Sequence, residues 1–325
     1  MRAITTPEFG GPDALTLTEM PDPRPSHGEV LIEVAAAGVN RADIQQRQGK
    51  YPAPAGAPDW PGLEVSGTIV KLGDGVDGFS IGDRVCALLA GGGYASLAVA
   101  SATQLLPVPD SIDLVNAAGL PEAVATVWSN VFMLAGLRAG ETLLVHGGSS
   151  GIGTIAVQLA RIFGCLTAVT ASTPVKLAAA QKLGAQILID YSTSDFVAVL
   201  KDATDGRGAD VILDPVGGDY VDRNLHALAR HGRLVLIANQ SGQRGKLDIR
   251  LLMSKWGSIH ATTLRARPPA EKDDIIQSVL ANVWPLVESG QLSPVIDSRF
   301  PLAEASSAHR RMESSAHIGK ILLLP

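Results

Sequence analysis

Seven residues, Gly147-Gly148-Ser149-Ser150-Gly151-Ile152-Gly153, separate the apolar run TLLVH from the helical run TIAVQLARIFG. A strand, a glycine turn and a helix in that order let backbone N–H groups approach a pyrophosphate at the positive end of the helix. The strict G-x-G-x-x-G spacing is not met, because Ser150 stands where the second glycine would fall if Gly148 were the first. The flanking strand and helix therefore carry the reading. Sites for NAD usually place Asp or Glu about 20 residues past the loop to accept the ribose hydroxyls. The matching stretch here, VTASTPVKLAAAQKLG, has no carboxylate. Ser172 or Thr173 can cap the next helix and Pro174 suits its first position, so Lys176 falls in the first turn. A cation there opposes the helix dipole by about 0.3–1 kcal/mol, which a bound anion would offset. The 2′-phosphate of NADPH is the expected anion. In a doubly wound sheet the end of QILIDY lies beside Ser172 and Lys176, which brings Tyr191 towards the same phosphate.

Other chemistry-bearing residues point to less. His146 ends the strand before the loop and reads as a packed structural residue. His27, His226, His231, His260, His309 and His317 show no ligand spacing. Cys86 and Cys165 lack a C-x-x-C pattern and sit in apolar runs, so neither a disulfide framework nor a nucleophile is expected. The glycine loop also looks like that of short-chain dehydrogenases, but their Tyr-x-x-x-Lys pair is missing. Tyr191 is followed at the fourth place by Asp195, and Tyr220 by Asn224.

The elements that must position these residues fit a two-domain chain. It has 325 residues, 46% hydrophobic and 18% charged, with a net charge of -5, which suits about two domains with their own cores and excludes a disordered chain. The start, MRAITTPEFGG, has no signal-like apolar core, and the uncharged stretch Thr142 to Ala160 is interrupted by HGGSSGIG. A cytoplasmic protein without a membrane span is expected. Mild acidity without a Lys/Arg run argues against a nucleic-acid surface and for small-molecule partners. The first 110 or so residues hold β-branched runs, VLIEVAAAGV, VSGTIVKLG and YASLAVA, between Pro- and Gly-rich turns. From Glu122 a helical stretch leads into apolar strands alternating with helices. Strands are expected near residues 143–146, 167–170, 187–189, 211–213 and 234–238, in a parallel sheet covered on both faces. Helices are expected over 271–289 and 302–314, with KILLLP as a last strand. The tail is too short to fold alone, so it should return to the first module. This gives a discontinuous β-rich domain (1–121 and 261–325) around an inserted α/β domain (122–260).

Taken in order, AAAGVNRADIQQRQGKYP, PGLEVSGTIVKLGDGV, IGDRV, PEAVATVW, LLVHGGSSGIG, DPVGG and HIGKILLLP resemble the medium-chain dehydrogenase/reductase superfamily, and within it the zinc-free, zeta-crystallin-like quinone oxidoreductases. VNRADIQQRQGKY and GSIHATTLRAR are most similar to the stress-inducible, NADPH-dependent branch. The resemblance implies a GroES-like catalytic domain with a Rossmann insert, a homodimer, and cofactor contacts at Thr126, Ser149, Ser150, Ile152, Gly217, Asn239 and Lys320. Zinc alcohol dehydrogenases of the superfamily carry a Cys in the stretch equivalent to VNRAD and a His in that equivalent to PGLE. Here those places offer Asn40 to Asp43 and Leu63, and the four-cysteine zinc lobe is missing, so no metal is expected. Without a Lewis acid, a conjugated acceptor that spreads incoming charge over its own π-system is the better substrate. Asn40 and Tyr51 match family positions lining the substrate cleft and are expected to donate to a carbonyl oxygen. The expected activity is NADPH-dependent quinone reduction. Reduction of an activated carbon–carbon double bond, in an enal or enoyl thioester, is the alternative, and a non-catalytic, crystallin-like or RNA-binding NADPH protein is a third.

Overall fold

The computed structural model describes residues Met1–Pro325. Packing divides the chain into two units, one formed by Met1–Ala125 with Leu264–Pro325, the other by Thr126–Thr263. No helix is long and apolar enough to cross a membrane. The chain opens with an antiparallel pair, β1 (Arg2–Thr5) and β2 (Thr16–Glu19). Next come β3 (Glu29–Val39), α1 (Arg41–Arg47), β4 (Glu64–Leu72), β5 (Arg84–Leu88), β6 (Leu97–Ser101), β7 (Leu105–Pro107), α2 (Leu114–Ala117) and α3 (Pro121–Val127).

The second unit begins with a π-helical stretch, Trp128–Leu134, and then alternates strand and helix. Its elements are β8 (Thr142–His146), α4 (Gly151–Ile162), β9 (Leu166–Ala171), α5 (Pro174–Leu183), β10 (Ile187–Asp190), α6 (Phe196–Ala203), β11 (Ala209–Asp214), α7 (Val221–Ala227), β12 (Leu228–Leu236), α8 (Ile249–Lys255) and β13 (Ser258–Ala261). The strands form a parallel sheet in the order β10-β9-β8-β11-β12-β13. The winding direction reverses between β8 and β11, and the glycine loop leaves the end of β8 at that switch point, where open α/β sheets bind ligands. Both central strands are buried along their whole length, as continuous apolar runs require. The last of the expected strands starts earlier than its apolar run, at Leu228, where a register shift between Ala209 and Val211 keeps β12 on β11.

The chain then returns to the first unit through α9 (Pro269–Asn282), α10 (Trp284–Glu288), β14 (Ile296–Pro301), α11 (Ala305–Glu313) and β15 (Lys320–Leu324). The helix expected over 271–289 is two helices, because Pro285 has no N–H to continue the ladder past Val283. The indole of Trp284 donates to the Pro107 carbonyl at 2.7 Å and anchors α10 on β7. KILLLP is a strand: β15 pairs antiparallel with β3, Ile321 opposite Val39 and Leu323 opposite Ala37. The tail thus completes a seven-stranded sheet ordered β14-β15-β3-β4-β5-β7, with β6 also on β3. Its apolar side packs Val30, Ile32, Val65, Ile69, Val85 and Leu323 under Leu302 and Met312.

A polar chain runs through this core. Arg47 bonds Glu313 at 2.5 Å and donates to His309 Nδ1 at 3.2 Å, so His309 must carry its proton on Nε2. That N–H faces the Tyr94 hydroxyl at 3.1 Å, and Tyr94 in turn donates to Asp43 at 3.1 Å. Burial first, and then the Arg47 charge, hold the His309 imidazole down at about 3. A depressed pKa contributes stability that is fully present above the ordinary histidine value of about 6.5 and is lost as pH falls towards 3. His309→Asn removes that loss. Urea unfolding should show the variant gaining about 2 kcal/mol relative to the parent between pH 7.5 and pH 5. Parallel pH profiles would contradict a neutral, buried His309.

Candidate active site

In the first unit the polar residues gather around Glu64, which is fully buried on β4. Its Oε1 lies 2.5 Å from Lys320 Nζ and accepts from Asn40 Nδ2 at 2.9 Å; its Oε2 accepts the Glu122 backbone N–H at 2.9 Å. Gly38 on β3 makes room, since a Cβ there would stand 2.2 Å from Glu64 Oε1. Asn40 also receives Lys320 Nζ on its Oδ1 at 2.7 Å and reaches the Gly38 carbonyl at 3.3 Å. Its amide is therefore engaged within the protein on both atoms. Lys320 is likewise spent on Glu64 and Asn40, in a buried setting.

Asp43, in the first turn of α1, accepts the N–H groups of Asn40 (2.7 Å) and Gly62 (3.0 Å) as well as the Tyr94 hydroxyl. Burial outweighs these bonds and pushes its carboxyl up to about 6. Tyr51 lies half-buried on the loop after α1. Arg265 holds that loop: its Nε donates to the Ala90 carbonyl at 2.7 Å, its NH1 to the Tyr51 carbonyl at 3.4 Å, and its guanidinium carbon sits 5.5 Å from the Tyr51 ring centre. Burial first, and then Glu122, raise the Tyr51 phenol above its ordinary value. Leu63 is buried, and no group of His, Cys, Asp and Glu side chains converges as a metal-ligand set.

The second unit positions the dinucleotide candidates. Ser150 caps α4, its Oγ accepting from Gly153 N–H at 3.0 Å. Gly153 is a close-approach glycine, because a Cβ there would lie 2.4 Å from the Gly147 carbonyl oxygen. Gly147 and Gly148 both donate to the Thr170 carbonyl, which lays the loop across the end of β9. Gly148, Ser149, Gly151 and Gly153 are buried, whereas Gly147, Ser150 and Ile152 are partly open. Beneath them His146 links Thr170 (3.1 Å) to Asn224 (2.7 Å), and Asn224 donates to Asp214 at 2.8 Å. Burial lowers the His146 pKa, so this ring is a neutral spacer tying β8, β9, β11 and α7 together.

Thr173 caps α5, accepting from Lys176 N–H at 3.4 Å, and the Lys176 ammonium lies 3.5 Å from Ser172 Oγ. Tyr191 follows β10, its N–H donating to the Ala171 carbonyl at 3.2 Å. Ser172, Lys176 and Tyr191 therefore share one edge of the sheet. Gly217 has φ 69° and ψ -151°, a conformation open to glycine, and its Cα faces Asn239, whose Oδ1 a Cβ would meet at 2.7 Å. Thr126 lies apart, buried, with its carbonyl accepting from Asn130 Nδ2 at 2.8 Å. Sequence reasoning did not single out Glu64, Glu122 and Arg265, which the fold brings into one electrostatic group. The available signal was a charge inside a run otherwise fit for burial, as in LEVSG and PEAVATV.

The loop, the capped helix and the close-packed glycines fit a dinucleotide, and the comparisons agree with that geometry. The family model for the alcohol dehydrogenase GroES-like domain matches residues 26–110, and that for zinc-binding dehydrogenases matches 183–323. The quinone oxidoreductase of Rattus norvegicus is 33% identical over 329 residues, covering 100% of this chain and 98% of its own. The chain belongs to the quinone oxidoreductase family of the medium-chain dehydrogenases/reductases. Members of this family are oxidoreductases, and the GroES-like and Rossmann units seen here are the family's fold. Escherichia coli quinone oxidoreductase, solved in complex with NADPH, superposes with a TM-score of 0.88 at 31% identity, each chain covered in full. The CurK enoyl reductase superposes with a TM-score of 0.88 at 27% identity, over 99% of this chain and 98% of its own.

Proposed function

We propose that this chain reduces quinones with NADPH by hydride transfer that uses no metal. The observation that carries the reading is the make-up of the first unit: a half-buried phenol, Tyr51, is held by Arg265, and the places where zinc dehydrogenases keep a thiolate and an imidazole hold committed or apolar side chains. A donor of that kind suits an acceptor that delocalises its own charge. When bound, NADPH supplies the hydride. Ser172, Lys176 and Tyr191 would hold its 2′-phosphate, and the glycine loop 147–153 its pyrophosphate. Gly217 and Asn239 would line the nicotinamide half, with Thr126. Asn40 and Lys320 serve this reading one step back, fixing Glu64 and the start of α3. The likeness to an enoyl reductase favours a second reading, reduction of an activated carbon–carbon double bond on the same residues.

The deciding experiment is anaerobic NADPH oxidation with a p-quinone, with an alkenal and with no acceptor, before and after chelator treatment. The reading expects quinone-dependent oxidation that survives the chelator; alkenal-only oxidation would favour the second reading, and no acceptor dependence would leave a passive binder. Calorimetry should show tighter binding of NADPH than NADH, with Lys176→Ala shrinking the preference by about 10- to 100-fold, since a charge-assisted hydrogen bond contributes about 1.5–3 kcal/mol. Equal affinities in the parent would sink the 2′-phosphate assignment.

The same reading includes a homodimer. Leu247, Ile249, Met253 (68% exposed) and Trp256 (63% exposed) lie on and around α8, beside β13, whose outer edge has no strand partner. An apolar patch next to an open strand edge is suited to a second copy of the same surface. Light scattering should report a dimer for the parent and a monomer for Met253→Glu/Trp256→Glu; a monomeric parent would remove this part of the reading.

A further inference from the structure

We propose that Asn224 is a positioning residue that couples the two halves of the dinucleotide site, joining the glycine loop to the Gly217 turn; this rests on the NADPH reading above. Residues 147–153 and 215–218 follow different strands, β8 and β11, and buried side chains link them from below. The link starts at Gly147, whose N–H donates to Thr170 Oγ1 on β9 at 3.3 Å. Thr170 Oγ1 lies 3.1 Å from His146 Nδ1, and His146 Nε2 lies 2.7 Å from Asn224 Oδ1 on α7. Asn224 Nδ2 then donates to Asp214 Oδ2 at 2.8 Å. The other Asp214 oxygen accepts the N–H groups of Val216 at 2.6 Å and of Gly217 at 3.1 Å. Thr170, His146, Asn224 and Asp214 are all buried, and Phe196 and Tyr220 each meet the His146 ring edge to face at 4.8 Å.

The direction of every bond follows from the carboxylate at the end. Asp214 can only accept, so Asn224 must turn its amide nitrogen towards it and its oxygen towards His146. His146 then carries its proton on Nε2, and its Nδ1 accepts from the Thr170 hydroxyl, whose oxygen is left for the Gly147 N–H. Asn224 alone in this chain gives a strong donor on one side and a strong acceptor on the other. Breaking one link strands a buried polar group, so the loop and the turn cannot shift apart cheaply. The turn carries more than itself. Gly217 has φ 69° and ψ -151°, and the turn packs on the connection after β12: a Cβ on Gly217 would stand 2.7 Å from Asn239 Oδ1, and one on Gly218 2.5 Å from Ser241 Oγ. The chain thus sets the spacing between the loop that would hold the pyrophosphate and the turn that would line the nicotinamide half. A ligand that touches both ends gains from a spacing fixed before it arrives; a ligand that stops short of the turn does not.

The test is calorimetric binding of NADPH and of 2′,5′-ADP, which carries the 2′-phosphate but no nicotinamide. Asn224→Asp sets two carboxylates against each other and breaks the chain at its centre. It should bind NADPH about tenfold more weakly while keeping its 2′,5′-ADP affinity within about twofold of the parent. Adding Asp214→Asn reverses donor and acceptor in the broken bond and leaves an acceptor for His146 Nε2. The Asp214→Asn/Asn224→Asp exchange should therefore recover NADPH affinity to within about threefold of the parent. Thr170→Val keeps the shape of the side chain and cuts the chain at its other end, so it decides the question if Asn224→Asp does not fold. It should weaken NADPH by about threefold or more and again spare 2′,5′-ADP. Single variants in which both ligands weaken together, or in which neither does, overturn the coupling. So does an exchange variant that regains the parent's thermal midpoint but not its NADPH affinity. A parent that binds no NADPH removes the cofactor reading, and this proposal with it.

Discussion

The first unit is organised by one buried ion pair, Glu64 with Lys320. Two unlike charges out of water are tolerated only when their remaining hydrogen-bonding positions are filled. Here Asn40 bridges the pair, the Glu122 backbone N–H takes the far oxygen, and Gly38 leaves the space that the carboxylate needs. The pair joins β4 to β15 and so fastens the last strand of the chain to the first sheet. It also fixes where α3 begins, through the Glu122 backbone N–H. Burial first, and then the Glu64 charge of that pair, raise the Glu122 carboxyl above its ordinary range.

The second unit solves a different problem with neutral groups. A glycine loop has few side chains to hold it, so its shape depends on what lies beneath. His146, kept uncharged by burial, spans Thr170 and Asn224, and Asn224 reaches Asp214. This chain of bonds crosses from β9 to β11 under the loop, while Thr170 also receives the Gly147 and Gly148 N–H groups. A charged ring would break the pattern, because Nδ1 must accept from the Thr170 hydroxyl while Nε2 donates to Asn224. Ser150, standing where a glycine might be expected, needs no unusual backbone and closes the start of α4 through its side chain.

Much of this was legible in the sequence because the signals are local. Apolar runs bounded by glycine mark β8 to β11, and the order TLLVH, glycine loop, helix marks the switch point. Thr173, Pro174 and Lys176 mark the start of α5 within a few residues. The parallel order of strands then brings Tyr191 beside Ala171 by a rule of topology. What was not legible depends on distant residues. The apolar periodicity of α9 continues smoothly into α10, so the break imposed by Pro285 has no counterpart in the pattern. Asn40 reads as an open amide donor until its Nδ2 is seen to donate to Glu64 and to the Gly38 carbonyl, while Lys320, distant in sequence, takes its oxygen. Glu64, Glu122 and Arg265 each stand alone in their own segments, and only the folded chain shows that they belong to one electrostatic group.

The most direct measurement of this constraint is a double-mutant cycle on Glu64→Gln and Lys320→Met, read by urea unfolding at neutral pH. Removing either partner of a buried pair strands the other, at a cost of about 3–5 kcal/mol, so both single variants should be strongly destabilised. The double variant should recover much of that loss, with a coupling of about 2 kcal/mol or more. Single effects that simply add, to within about 0.5 kcal/mol, would contradict the pair as the interaction on which the unit depends.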